Sequence, residues 1–152
     1  MGIEIKILSG DSPIITRRIC EEVGLIIDGN KVITGDELAG LRTKEFAKYC
    51  NTYNVFARVS PEQKHKIVET LTKDHVVGFL GDGINDAPAL KAADVGISVD
   101  TAVGIAKEAA DIILFQKSLK VLADGIIEGR KIFGNITKYI LNTVSANFGN
   151  MF

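Results

Sequence analysis

The run GDGINDAPAL, Gly81 to Leu90, constrains this chain more than any other feature. It follows the apolar stretch Val76-Val77-Gly78-Phe79-Leu80, which reads as a buried strand, and Pro88 stands where a new helix begins. Strand, tight acidic loop and helix in that order form an α/β unit. They put Asp82 and Asp86 at the carboxyl tip of the strand, where open α/β sheets bind ligands. A bare DxxxD spacing more often marks two loop carboxylates, one of them capping the helix. The full string argues for more. Gly81 and Gly83 admit close backbone approach, Asn85 adds an amide, and the carboxylates suit a hard divalent cation such as Mg²⁺, which often bridges to a phosphate.

Strand and helix signals alternate along the rest of the chain. Ile3 to Leu8 alternate apolar and polar, Ser9-Gly10-Asp11 breaks the strand, and Pro13 opens a helix that Gly24 ends. Ile14, Ile15, Ile19 and Val23 give that helix one apolar face. A hairpin signal follows, Leu25-Ile26-Ile27 and Lys31-Val32-Ile33 joined through Asp28-Gly29-Asn30, and Asp36 to Cys50 reads as a short polar helix. Val55–Val59 is a strand, and Ser60 caps a helix that turns Ile67, Val68 and Leu71 inward. Beyond the acidic loop come a helix Pro88–Ala93, strands Val95–Val99 and Ile112–Phe115, and a helix Ala102–Ala110 between them. The alternation predicts an α/β fold, a Rossmann-like and mostly parallel sheet with helices on both faces.

The last element differs in kind. From Ser118 onward, Leu122, Ile126, Phe133, Ile136, Ile140, Val144 and Phe148 recur at helical steps. A helix from Ser118 to Phe152 would extend ~50 Å at about 1.5 Å per residue, longer than a domain of this size needs. Gly125, Gly129, Gly134 and Gly149 oppose it, each by roughly 1 kcal/mol relative to alanine. The expected division is a body over residues 1–117, with a small insertion at 25–50, and a helical extension over 118–152. No charge falls between Tyr139 and Phe152, but Asn142, Asn147 and Asn150 make the segment too polar, and it is too short, to span a bilayer alone. It reads as a core helix or as the first turns of a longer span.

Composition excludes several classes. Apolar residues at 46% and charged residues at 24% are ordinary globular usage, which argues against disorder. A formal net charge of −1 with no long basic run argues against nucleic-acid binding. Cys20 and Cys50 lie in no CxxC or Cys/His cluster, so two reduced thiols are expected rather than a disulfide framework or a zinc site. The N-terminal residues read as a strand, not as a signal peptide.

Further residues carry candidate chemistry. Ser9-Gly10-Asp11 follows a strand as the acidic loop does; its hydroxyl and backbone N–H groups either cap a helix or hold a phosphoryl oxygen. Lys64, one turn into its helix, lies either on a solvated face or where its ammonium neutralises a phosphoryl group. His65 and His75 read as surface residues, and Arg130, Lys131 and Lys138 as one polar helix face that would also suit a membrane interface.

The strings SGD, FARVSPEQKHKIV, GDGINDAPALKAADVGISV and KEAADIIL resemble the phosphorylation domain of P-type cation-transporting ATPases, in the haloacid-dehalogenase superfamily. The likeness runs from about Ile3 to Phe152. EGRKIFGNITKYI followed by SANFGNMF is similar to the magnesium-transporting subgroup, at the stalk entering the fifth membrane helix. The resemblance implies a haloacid-dehalogenase-type sheet and a set of roles. Asp82 would ligate Mg²⁺, with Asp86 supporting the metal and phosphoryl site; Asn85 would bond the phosphoryl group and Lys64 would neutralise it. Ser9, where the family usually has threonine, would bond a phosphoryl oxygen, with Gly10, Asp11 and Arg58 beside the nucleotide, ATP.

In that family ATP phosphorylates the aspartate of a DKTGT motif, and this sequence contains no DKTGT. The resemblance therefore implies the Mg²⁺ and phosphoryl half of a site that is inactive alone. Its partners would be the nucleotide-binding, actuator and membrane domains of a pump, and its place the cytoplasmic face of the membrane, or the soluble cytoplasm for the chain by itself. A stand-alone Mg²⁺ or phosphate-binding module and one half of a split pump are the alternatives. The family's nucleophile strand lies between the strand before Ser9 and the strand before Asp82. A chain without it must close the gap, leave two edges unpaired or recruit another molecule, and self-association through sheet edges or the C-terminal helix is one such route.

Overall fold

A computed structural model of the chain describes residues 2–22, 24, 32–116 and 118–151. The chain divides into two compact units, Met1–Ile113 and Leu114–Phe152. The first is an α/β body whose strands fall into two sheets of three, ordered β1-β3-β2 and β4-β5-β6.

In the first sheet β1 (Ile7–Leu8) and β2 (Val32–Thr34) both run parallel to a central β3 (Val55–Ala57). All of β3 is buried. Phe56 enters the main core with Ile33, Leu38, Phe46, Cys50, Val59, Ile67 and Leu71, and the pleat turns Val55 and Ala57 to the other face. The expected strand over Ile3–Leu8 is cut to its last two residues. Pairing starts at Ile7 opposite Val55, because the preceding residues of the partner belong to a helix that ends at Thr52. Lys6 uses the space instead: its ammonium donates to the carbonyls of Asn51 (3.4 Å) and Tyr53 (2.9 Å).

Helix α1 (Pro13–Glu22) packs on this sheet by Thr16 and Cys20, not by its isoleucines. Ile14, Ile15 and Ile19 are 82%, 51% and 48% exposed, which corrects the expected apolar face. The smaller pair brings the helix close to the sheet, and Thr16 ties its hydroxyl to the carbonyl of Ser12 at 3.0 Å. Gly24 follows the helix in the left-handed region, φ 72°. The first strand and turn of the expected hairpin, Leu25 to Asn30, and the first residue of its second strand, Lys31, lie outside the described residues. Its other strand, β2, is a full member of the parallel sheet.

The expected helix over Asp36–Cys50 is two helices, α2 (Gly35–Ala39) and α3 (Thr43–Thr52). Thr34 and Glu37 form a capping box that starts the first, and the chain breaks at Gly40. Helix α4 (Pro61–Leu71) begins as its sequence predicts, with Ser60 as cap and Gln63 completing the box. Strand β3 stops at Ala57 rather than Val59 because Arg58 adopts φ 53°.

In the second sheet β4 (Gly78–Leu80) runs parallel to β5 (Val95–Val99), which also pairs β6 (Ile112–Leu114). Helices α5 (Ala87–Ala92) and α6 (Gly104–Ala109) pack with it around Leu90, Ala106 and Ala109. The apolar run predicts a buried strand, but β4 is not buried: Leu80 is 42% exposed. The reason is position. Among the described residues β1 and β4 each end their sheet with one hydrogen-bonded neighbour, so both present an open edge. Helix α4 packs against α5 and so joins the two sheets.

The second unit is one long helix, α7 (Leu119–Met151), its glycines notwithstanding. Phe133, Ile136, Ile140, Val144 and Phe148 are all exposed on it. No helix among the described residues is long and apolar enough to cross a membrane.

Candidate functional site

The acidic loop is fixed from below. Gly81 donates its N–H to the carbonyl of Ile97 (3.1 Å) and receives the buried Ser98 hydroxyl on its own carbonyl (2.9 Å). A short 3-10 turn, Ile84–Asp86, then leads into α5. A side chain at residue 81 would meet the Asp86 Cβ at 2.6 Å, so only glycine lets the aspartate lie over the strand end.

Lys64 does not lie on a solvated face. Its Nζ donates to Asp86 Oδ1 at 2.8 Å, and the two side chains are only 16% and 13% exposed. The second carboxylate oxygen of Asp86 accepts the N–H of Gly83 at 3.2 Å. Both oxygens are thus engaged, and a cation reaching Asp86 would compete with an ammonium. Asp82 and Asn85 are exposed on the same loop, with the Asp82 carbonyl accepting the N–H of Val103 at 3.4 Å.

The loop after β1 forms a second group. Ser9 donates its hydroxyl to Asp11 Oδ2 (2.9 Å) and accepts the Asp11 N–H (3.1 Å). Ser12, not Ser9, sits at the start of α1, with its hydroxyl accepting the N–H of Ile15. That leaves Ser9 outside the capping role its sequence position allowed. Arg58 and Val59 donate their N–H groups to the carbonyls of Asp11 (2.9 Å) and Ser9 (3.1 Å), which stitches this loop to the β3–α4 turn. Gly10 is exposed at its tip. The predicted residues therefore assemble as Lys64 with Asp82, Asn85 and Asp86 on one side, and Ser9, Gly10 and Asp11 with the Arg58 backbone on the other. Helix α4, capped by Ser60 beside the second group, carries Lys64 into the first.

All side-chain donors on the acidic loop are oxygens, which fits a hard cation. Among the described residues no group of three or more His, Cys, Asp or Glu side chains could hold a metal. The set suits Mg²⁺, which needs only one or two carboxylates beside phosphate and water. Ser98 was not singled out from the sequence. Its signal was present: one hydroxyl inside the apolar run Val95–Val99, where a buried polar group needs a partner.

The sequence model for haloacid dehalogenase-like hydrolases matches residues 1–94, and the chain belongs to that family. Its similarity to P-type ATPases is extensive. It is 55% identical over 152 residues to the magnesium-transporting ATPase, P-type 1, of Escherichia coli K12, covering 99% of this chain and 17% of that protein. The probable cation-transporting ATPase F of Mycobacterium bovis is 40% identical over 154 residues, covering 97% and 17%. Among solved structures, a zinc-transporting PIB-type ATPase in its E2.Pi state superposes with a TM-score of 0.65 at 30% identity, over 88% of this chain and 17% of that one. The catalytic domain of the CPx-ATPase CopB-B gives 0.58 at 30% identity, over 80% and 39%. The chain spans about a sixth of the length of the curated relatives it matches.

Proposed function

We propose that this chain is the C-terminal part of the phosphorylation domain of a P-type cation-transporting ATPase, and that it supplies the Mg²⁺ and phosphoryl-binding half of the site. The observation that carries the reading is the 2.8 Å contact of Lys64 with Asp86, which unites the two sequence strings that resemble the family most. Asp82 holds the cation, and Asp86 fixes both the loop and the lysine. Lys64 neutralises phosphoryl charge, Asn85 donates to a phosphoryl oxygen, and the Ser9–Asp11 turn with Arg58 faces the nucleotide. Mg²⁺, when bound, offsets charge on the transferring phosphoryl group.

The open edges of β1 and β4 support the same reading, since a strand bearing the phosphorylated aspartate would pair with both. The partners are then the remaining domains of a pump at the cytoplasmic face of a membrane, with ATP as substrate. Residues 118–152 serve as the stalk toward the membrane, and the name of the 55%-identical Escherichia coli relative favours Mg²⁺ as cargo.

The test is complementation. Alone with labelled ATP, the chain should form no acid-stable, hydroxylamine-sensitive phosphoenzyme, because an acyl phosphate needs a nucleophile it does not carry. Mixed with a separately expressed portion bearing DKTGT, it should support ATP hydrolysis that Asp82→Asn and Lys64→Met abolish. Label on the isolated chain, or hydrolysis indifferent to both substitutions, would refute the assignment.

A further inference from the structure

We infer that Gln63 is a positioning residue for the two loops of this site, an inference whose functional meaning rests on the reading above. Arg58 is the only non-glycine residue with positive φ among those described, and the left-handed region is unfavourable for a residue that carries a side chain. Such a conformation persists only where its surroundings dictate it. Two neighbours do so here. The carbonyl of Asp11 takes the Arg58 N–H at 2.9 Å, and the Arg58 carbonyl lies against Gly35 so closely that any side chain there would collide with it. Gly35 thus has to stay a glycine, and something has to hold it in place.

Gln63 does this. Its Nε2 donates to the Gly35 carbonyl at 2.8 Å, and its Oε1 accepts the N–H of Ser60 at 2.9 Å. Because one partner is an acceptor and the other a donor, the amide has one satisfied orientation. A helix-capping side chain alone would need only the second bond. The first reaches across to the start of α2 and closes a ring: Gly35 to Gln63, Gln63 to Ser60, Ser60 through Arg58 back to Gly35. Through the Arg58 and Val59 N–H groups that ring grips the Ser9–Asp11 turn. Gln63 also adjoins Lys64 on α4, so one amide sets the relation between the serine turn and the base of the lysine.

Gln63→Glu separates the two bonds. A carboxylate still accepts from Ser60, so the cap survives, but it cannot donate to Gly35. Gln63→Met removes both. In amide hydrogen exchange on the ¹⁵N-labelled chain, Gln63→Glu should speed exchange at Arg58 and Val59 by about three- to tenfold, the loss expected for one hydrogen bond. Ile67, Val68 and Leu71 within α4 should be unchanged. Gln63→Met should add faster exchange in the first turn of α4. Unchanged protection at Arg58 in Gln63→Glu, or an equal loss throughout α4 and the core, would overturn the inference; should that variant not fold, the same amides in Gln63→Met decide it, since that variant also lacks the bond to Gly35. No readout here depends on phosphate or Mg²⁺, so failure of the clamp and failure of the proposed function are distinguishable.

Discussion

Breaking the Lys64–Asp86 pair offers the sharpest energetic test of this site. Two charges 2.8 Å apart with about a seventh of each side chain exposed lie between two measured regimes. Exposed pairs contribute about 0.2–1 kcal/mol, and removing one partner of a buried pair costs about 3–5 kcal/mol because the survivor stays desolvated. Lys64→Met should therefore destabilise the body by about 2 kcal/mol. Asp86→Asn should cost slightly more, since it also weakens the charge-assisted bond from Gly83. The double variant should lose less than the sum, leaving a coupling of about 1–2 kcal/mol. Urea unfolding of all four chains, followed by far-ultraviolet circular dichroism, supplies the cycle. Added salt should change the coupling little, because ions do not reach a shielded pair. Strictly additive losses would show that the contact is incidental and remove the link between α4 and the acidic loop.

Two further substitutions probe particular contacts. Gly81→Ala should cost about 1–3 kcal/mol, the price of overpacking, because the methyl meets Asp86 Cβ at 2.6 Å; a thermal melt within experimental error of the parent would contradict it. Burial pushes the Cys50 thiol up to about 11 from 9.0. The unfolded chain ionises first, so stability is whole below about pH 9 and falls by roughly 2–3 kcal/mol as pH rises through 11. Cys50→Ala should flatten that alkaline limb, and an equally steep limb in the variant would assign it to another group.

Much of this structure was legible from short-range signals. Ser60, Pro61 and Gln63 announce α4 because a cap, a fixed φ and a returning side chain act within one turn. The strand–loop–helix around Asp82 and Asp86 is local in the same way. Thr34 and Glu37 carried a capping-box signal that would have split the α2–α3 region. What escaped depended on distant partners. Apolar Val76–Leu80 reads as interior, yet β4 is exposed because it ends its sheet, and no run of residues encodes its neighbour. Ile14, Ile15 and Ile19 look like a core face, yet Thr16 and Cys20 win the sheet. The ion pair of Lys64 with Asp86 spans 22 positions and rests on α4 meeting α5.

The unequal cores of the two sheets carry a dynamic consequence. Around β3 the interior holds two phenylalanines and several branched side chains, whereas Leu90 beneath the acidic loop is surrounded mainly by alanine methyls. Methyl groups remove far less apolar area from water, so the half bearing Asp82 should open at a lower free energy than the rest. Native-state exchange that found α5 and α6 as protected as α4 would contradict this. A softer platform makes whatever binds there do two jobs, gripping and ordering. Apparent affinity then scales with the fraction of molecules in which the seat is already formed.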